Sequence, residues 1–201
     1  MALRKLGLWC GVIGPILWLA LIAIAGAQRP DFNHVSHYIS ELGERGSSTE
    51  GLMRYAAFGF TGLLYLCFAA ALPATLQDGW LAKAASALIA LEGIGRIGAG
   101  VFPCDAGCAP SVSGPDLHRL FATVGFCSGV LATFFWGFVL RRSPVLASFS
   151  VACGAIALVA LVLMSSPDPA WPRGLLEHLA TVALSVWLLV LAGRLVWIEK
   201  A

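Results

Sequence analysis

Val145-Leu-Ala-Ser-Phe-Ser-Val-Ala-Cys-Gly-Ala-Ile-Ala-Leu-Val-Ala-Leu-Val-Leu-Met164 carries no charged residue, and Arg141-Arg142-Ser143-Pro144 stands directly before it. A helix rising 1.5 Å per residue needs about 20 apolar residues to cross a hydrocarbon core of about 30 Å. This stretch supplies that length and keeps its charge at one edge. Five more stretches of the same kind cover residues 6–27, 53–76, 81–102, 117–140 and 174–197. No alternating polar and apolar strand pattern competes with them, and lipid admits only helices or closed barrels. The sequence therefore predicts an all-α polytopic membrane protein, a bundle of six transmembrane helices. The connections are short, so residues 1–201 read as one six-span domain.

Composition agrees. Hydrophobic residues make up 59% of the chain and charged residues 12%, about half of what a soluble domain uses to cover its surface. Mean hydropathy is +0.84. A net charge of +2 with no basic run longer than two residues argues against a nucleic-acid partner. Membrane lipids are the expected surroundings. Arg4, Lys5 and Ala25-Gly26-Ala27 give the first span some likeness to a secretory leader. Its apolar run of about 20 residues exceeds the usual 7–15 of such leaders, so it is expected to stay as a membrane helix.

Six spans put both termini on one side. That side collects Arg4, Lys5, Lys83, Arg141, Arg142, Arg194 and Lys200, whereas Arg29, Arg45, Arg54, Arg119 and Arg173 fall on the other with most of the acids. Positive short loops stay inside. A multi-pass protein of the cell membrane with both termini cytoplasmic is the expectation, its three longer polar loops facing outward.

Within the first outer loop Val35, Tyr38, Ile39 and Leu42 recur at i, i+3, i+4 and i+7, which predicts a short interfacial amphipathic helix. His34, His37 and Glu41 would share its polar face. Gly43 is placed to end it with positive φ, and Ser47-x-x-Glu50 reads as a capping box opening the second span. In the second outer loop Pro103 and Pro110 break helix. Pro115 suits the first turn of the fourth span, which sets His118 near its start. Glu177 and His178 enter the sixth span, where His178, Thr181 and Ser185 form a polar stripe expected to face the bundle.

Several residue groups could carry chemistry. Glu92 and Arg96 lie four residues apart inside the third span and project from one face. Charges at that depth face a partner or a wet cavity. Either they form a structural ion pair, or Arg96 anchors an anionic or carbonyl group of a ligand. Gly93-Ile-Gly95-Arg-Ile-Gly98 matches the dinucleotide fingerprint in letters. That fingerprint needs a preceding strand, so close helix packing explains these glycines better. Cys104 and Cys108 suit a disulfide in an oxidising compartment, with thiolate metal ligation or free thiols as alternatives. His34, His37, His118 and His178 all map to the outward end with carboxylates nearby. That is the ligand chemistry of zinc, of metal-free acid–base work, or of imidazoles bonded to loop backbone. Ser36 and Ser40 flank His37, yet no G-x-S-x-G elbow holds a nucleophile. Capping and hydration explain them more simply. The seven tryptophans sit mostly toward span ends, as an aromatic belt would place them.

Ser36-His-Tyr-Ile-Ser-Glu-Leu-Gly43, Val101-Phe-Pro-Cys-Asp-Ala-Gly-Cys108 and Asp116-Leu-His-Arg-Leu-Phe-Ala122, in that order along nearly the whole chain, resemble a bacterial and archaeal membrane-protein family. It is the family catalogued as domain of unknown function 998. The resemblance implies six spans and marks Ser40, Glu41, Arg96, Asp105 and His118 as family-type positions. It implies no activity. A fainter similarity to membrane hydrolases of the alkaline ceramidase type, which gather serine, aspartate and histidines around zinc, departs where their late H-x-x-x-H pair would stand. Only His178 occupies that region.

Three functions are compatible with these residues. An outward pocket formed by Ser40, Glu41, Glu92, Arg96, Asp105, His118 and His178 would bind a lipid or small amphiphile. A metal-assisted hydrolase of a lipid ester or amide would hold zinc on two or three of His34, His37, His118 and His178. Its catalytic candidates are Glu41, Asp105 and His118. A structural or assembly subunit would use the same groups only to fasten loops. Whether the protein is an enzyme, and its oligomeric state, stay open at this level.

Overall fold

The protein is described from a computed structural model over residues 2–73, 79–109, 116–166, 168 and 170–200. Its helices are α1 (Ala2–Ala27), a π-helical segment (Leu52–Phe60) that runs on as α2 (Thr61–Ala71), α3 (Trp80–Val101), α4 (Leu117–Val139), α5 (Pro144–Met164) and α6 (Arg173–Lys200). Six of these helical units are long and apolar enough to cross a membrane. No strand occurs among the described residues. The all-α, six-span class read from the sequence is the class observed. The predicted end of the second span, residue 76, and the turn prolines Pro110 and Pro115 lie outside the described residues.

Each helix packs against the next in sequence, and α6 returns to α1, closing a ring. Between helices in lipid there is little hydrophobic drive, so contact depends on close approach through small residues. Gly62 and Gly93 face each other's backbones across α2 and α3, and Gly95 meets Gly125 across α3 and α4. The fingerprint-like glycines thus lie mid-helix as packing residues. Bulky aromatics fill what remains. Tyr65, Phe68, Trp136 and Trp187 are buried in one cluster, and Trp18, Phe58, Ile39, Leu42 and Met53 in another under the first loop. This corrects the aromatic-belt expectation for three tryptophans, since Trp18, Trp136 and Trp187 face the bundle interior while Trp80 and Trp197 are exposed.

Local chemistry sets the helix ends. Asp116 caps α4 by accepting from the Arg119 N–H at 3.0 Å, and Pro144 opens α5 from its first turn, where its missing N–H costs nothing. The first loop departs from expectation. A 3₁₀ turn over Ile39–Gly43 replaces an α-helix through Val35. The reason is local: Asn33 Oδ1 accepts from the N–H groups of Val35 (2.8 Å) and Ser36 (3.3 Å), and such side-chain bonds compete with helix. Ile39 and Leu42 still point inward and are fully buried, whereas Val35 is half exposed. Positive φ falls on Gly46, not Gly43. Gly43 is instead buried against Met53 and Phe58. The capping box is shifted as well. Glu50 Oε2 accepts from the Gly46 N–H at 2.8 Å, and Ser47 Oγ donates to the Leu42 carbonyl at 3.1 Å.

Candidate functional site: a cavity beneath the first loop

Residues of α1, the 3₁₀ turn, the π segment, α3, α4 and α6 surround a small cavity of about 50 Å³, or about 460 Å³ with the open solvent at its mouth counted in. Ile39 and Ser40 come from the loop, Trp18 from α1 and Phe58 from the π segment. Glu92 and Arg96 come from α3, His118 from α4, and Glu177 and Thr181 from α6. π-helical turns are rare and recur at functional sites. Here the segment is fastened by Arg54, which donates to Glu50 Oε1 (2.7 Å) and to the Gly100 carbonyl (2.9 Å).

Arg96 sets the cavity's chemistry. Its Nη2 donates to Glu92 Oε1 at 3.2 Å and reaches Tyr65 Oη at 3.4 Å. Its guanidinium is held between the rings of Trp18 (4.4 Å) and Tyr65 (4.5 Å). Cation–π contacts of this kind strengthen where water is excluded. Arg96 Nε and Nη1, and Trp18 Nε1, are buried with no protein acceptor. Each such group costs about 1–3 kcal/mol if left unpaired. Three donor nitrogens of the lining residues, and the Thr181 hydroxyl beside them, are therefore unpaired.

The loop is pinned down over the cavity. The Ile39 N–H donates to Glu177 Oε2 at 2.6 Å, and the Leu175 N–H donates to the Val35 carbonyl at 3.0 Å. A Cβ at Gly174 would collide with the carbonyls of His34 and His37, so only glycine lets the loop backbone lie on the start of α6. Arg29 braces the same loop through the Glu41 carbonyl (2.6 Å), Glu44 (3.2 Å) and Asp31 (2.8 Å).

The sequence-level candidates divide between this cavity and its surroundings. Ser40, Glu92, Arg96 and His118 line it. Glu41 lies in the covering turn, its Oε1 accepting from the Tyr38 N–H at 2.8 Å. Asp105 is exposed and paired with Arg45 at 3.1 Å. His178 turns to His34. Its Nδ1 donates to the Gly174 carbonyl at 2.8 Å, which leaves Nε2 to accept from His34 Nδ1 at 2.9 Å. His37 Nδ1 accepts from the Asn33 N–H at 3.2 Å. Sequence reasoning gave Glu177 no role, although its place beside His178 was visible. The aromatic partners of Arg96 carried no signal in the chain, since Trp18 and Tyr65 come from distant spans.

The four imidazoles do not gather around one point. His34 pairs with His178, and His118 lies apart, its Nδ1 3.0 Å from the Ala99 carbonyl and 2.9 Å from that of Phe102. Cys104 and Cys108 form the disulfide that their spacing favoured, with α-carbons 5.0 Å apart. Gly107 takes positive φ in the turn between them. Among the described residues the group whose donor atoms could hold one metal ion is Cys104, Cys108 and His118, all within 4.8 Å of one another. This set, not the four histidines, is where soft-metal chemistry is geometrically available. Comparison with protein families finds a match over residues 12–194 to the one described as protein of unknown function (DUF998). No curated protein and no solved structure matches the chain.

Proposed function

The chain belongs to the DUF998 family of proteins of unknown function, and from that premise we propose that it is a membrane module binding the oxygen-rich headgroup of a lipid or small amphiphile. One observation carries the reading: buried N–H donors of Arg96 and Trp18 stand without acceptors in residues that line a cavity. A carbonyl, phosphate or carboxylate group supplies the missing acceptors. The Arg96–Glu92 pair fixes the guanidinium so that binding orders little further, and preorganisation of this kind favours affinity. The apolar tail would lie along Phe58, Ala99 and Phe126, which also line the cavity. In this reading the loops face outward in the cell membrane and both termini are cytoplasmic.

Metal-assisted hydrolysis of a lipid ester or amide is the second reading. The juxtaposition of Cys104, Cys108 and His118 favours it, since zinc takes sulfur and imidazole ligands. Against it, the two sulfurs are bonded to each other. A purely structural subunit would leave the unpaired donors of Arg96 and Trp18 without purpose.

The test is lipid retention. Replacing Arg96 alone would strand Glu92 as a buried unpaired charge, which is strongly destabilising. The suitable variant is therefore Arg96→Met with Glu92→Gln. After purification in mild detergent, extracted lipid is measured by mass spectrometry. The wild-type chain is expected to retain about one amphiphile per chain and the double variant to lose it. Equal amounts and kinds of lipid on both folded proteins would end this reading, and water filling the cavity would then account for the orphan donors.

A further inference from the structure

The second loop is anchored independently of its disulfide. The Arg45 N–H donates to the Cys104 carbonyl at 3.0 Å, and the Gly107 N–H donates to Glu44 Oε2 at 2.5 Å. The Cys108 N–H closes the turn on the Asp105 carbonyl at 2.9 Å. Opening the sulfur–sulfur bond therefore leaves both cysteines tethered where they are. Beside them His118 is buried on α4, and two carbonyls, Ala99 and Phe102, converge on its Nδ1. Carbonyls only accept, so Nδ1 carries the proton, and in the neutral ring Nε2 then carries the lone pair. Metal-binding histidines are oriented by this kind of backbone contact on the far nitrogen. Asp105, Ala106, Gly107 and Ala109 are exposed around Cys108, which gives a small reductant a way in.

We propose that reduction of the Cys104–Cys108 disulfide turns the juxtaposed Cys104, Cys108 and His118 into a site for one thiophilic ion, zinc being the type case. The reductant is a dithiol. Two electrons pass to the protein disulfide, the sulfur–sulfur bond breaks, both cysteines become thiols, and the dithiol closes to its own disulfide. Zinc then displaces one proton from each thiol and binds two thiolates and one imidazole nitrogen. Zinc–sulfur and zinc–nitrogen bonds of about 2.3 and 2.0 Å put neighbouring ligand atoms about 3.5–3.8 Å apart in a tetrahedron. The two sulfurs and one ring nitrogen of His118 already lie within 4.8 Å of one another, close to that spacing. Three protein ligands leave a fourth position for water or a bound group. Because His118 also lines the cavity, the ion would sit at its border. Zinc binding here is independent of lipid binding, which turns on Arg96.

The full chain in detergent is reduced with dithiothreitol, freed of it under nitrogen, and titrated with zinc against a chromogenic chelator. An oxidised sample is handled in parallel. The reduced protein is expected to bind one zinc per chain more tightly than the oxidised protein by at least about 100-fold. Cys104→Ser with Cys108→Ser should abolish the difference. That control also separates this site from the thiols of Cys10, Cys67, Cys127 and Cys153, which lie in the spans. Removing His118 risks the fold through the two carbonyls, so the variant is His118→Asn, whose amide nitrogen can replace the Nδ1 donor while no atom replaces Nε2. With the unfolding temperature of its oxidised form unchanged, it should bind zinc at least about 10-fold more weakly. If reduced and oxidised chains bind zinc alike, or His118→Asn keeps full affinity, the proposal is overturned.

Discussion

Arg96 survives within a hydrocarbon-spanning helix because three neighbours share its charge: Glu92 at 3.2 Å and the rings of Trp18 and Tyr65 on its flanks. An ionised side chain at that depth needs such company, and Arg96 also lines the cavity. Above it, the charges of the first loop act through ordinary solution chemistry. Arg29 holds the Asp31 carboxyl below its usual range, mainly by a hydrogen bond. The Gly46 N–H, followed by Arg54, does the same for Glu50. A carboxyl whose folded pKa lies below its unfolded one binds fewer protons when folded. Its contribution is present above the unfolded value, about 4, and is lost as pH falls through the lower, folded one. The unfolding temperature in detergent should therefore fall on acidification from about pH 5 to about pH 3. The slope should be shallower in Asp31→Asn with Glu50→Gln and weaker in high salt, because exposed pairs are screened. An unfolding temperature that rises through that window, or the same slope in the variant, contradicts the assignment.

At the scale of elements, α3 and α4 make a sharper statement. A Cβ built on Gly95 comes within 2.5 Å of the Gly125 backbone, whereas one built on Gly125 meets nothing closer than 3.6 Å. The contact is tight from one side only. Gly95→Ala should destabilise by about 1–3 kcal/mol, the usual range for overpacking, and Gly125→Ala should be near neutral or slightly stabilising through its better helix propensity. Thermal unfolding of the two single variants decides it, and equal effects would mean that the helices sit differently. The same pair shows what a sequence carries. Glycine spacing in α3 announced a packing face, but a one-dimensional pattern does not name the partner or the direction of the clash. Helix ends were legible within a few residues because charge and apolarity change abruptly there. The π pitch of Leu52–Phe60 was not, since hydropathy is blind to pitch. The first loop misled for a different reason: Val35, Tyr38, Ile39 and Leu42 keep helical spacing, yet Asn33 satisfies the backbone N–H groups locally. Burial of Ile39 and Leu42 then needs only a 3₁₀ turn.

Over the whole molecule, ring closure decides which polar groups meet. Packing of α3 on α4 and of α1 on α6 brings Arg96, His118 and Glu177 to one cavity, while folding of the first loop onto α6 takes His178 to His34 instead. Glu177 aside, the polar residues of the cavity were named from the chain, but the division into a cavity group and a loop group was not, because that division depends on contacts between spans far apart in sequence. The same contacts fix the relative placement of the loops. Backbone bonds join Arg45 to Cys104 and Val35 to Leu175, so the α1–α2 connection, the α3–α4 connection and the start of α6 share one end of the bundle. Arg141 and Arg142, exposed in the connection between α4 and α5, are separated from that end by the length of α4. The orientation proposed above puts the arginine pair on the cytoplasmic side, as the positive-inside rule favours. Two single-cysteine reporters test this, Arg45→Cys and Arg142→Cys, with Cys10, Cys67, Cys127 and Cys153 changed to alanine and the Cys104–Cys108 disulfide kept. A membrane-impermeant maleimide added to intact cells should label position 45 and spare position 142, and inverted vesicles should give the opposite pattern. Exchange of the two patterns would reverse the orientation and move the cavity to the cytoplasmic side. Labelling of both positions from a single side would mean that α4 does not cross, and the six-span arrangement itself would fail.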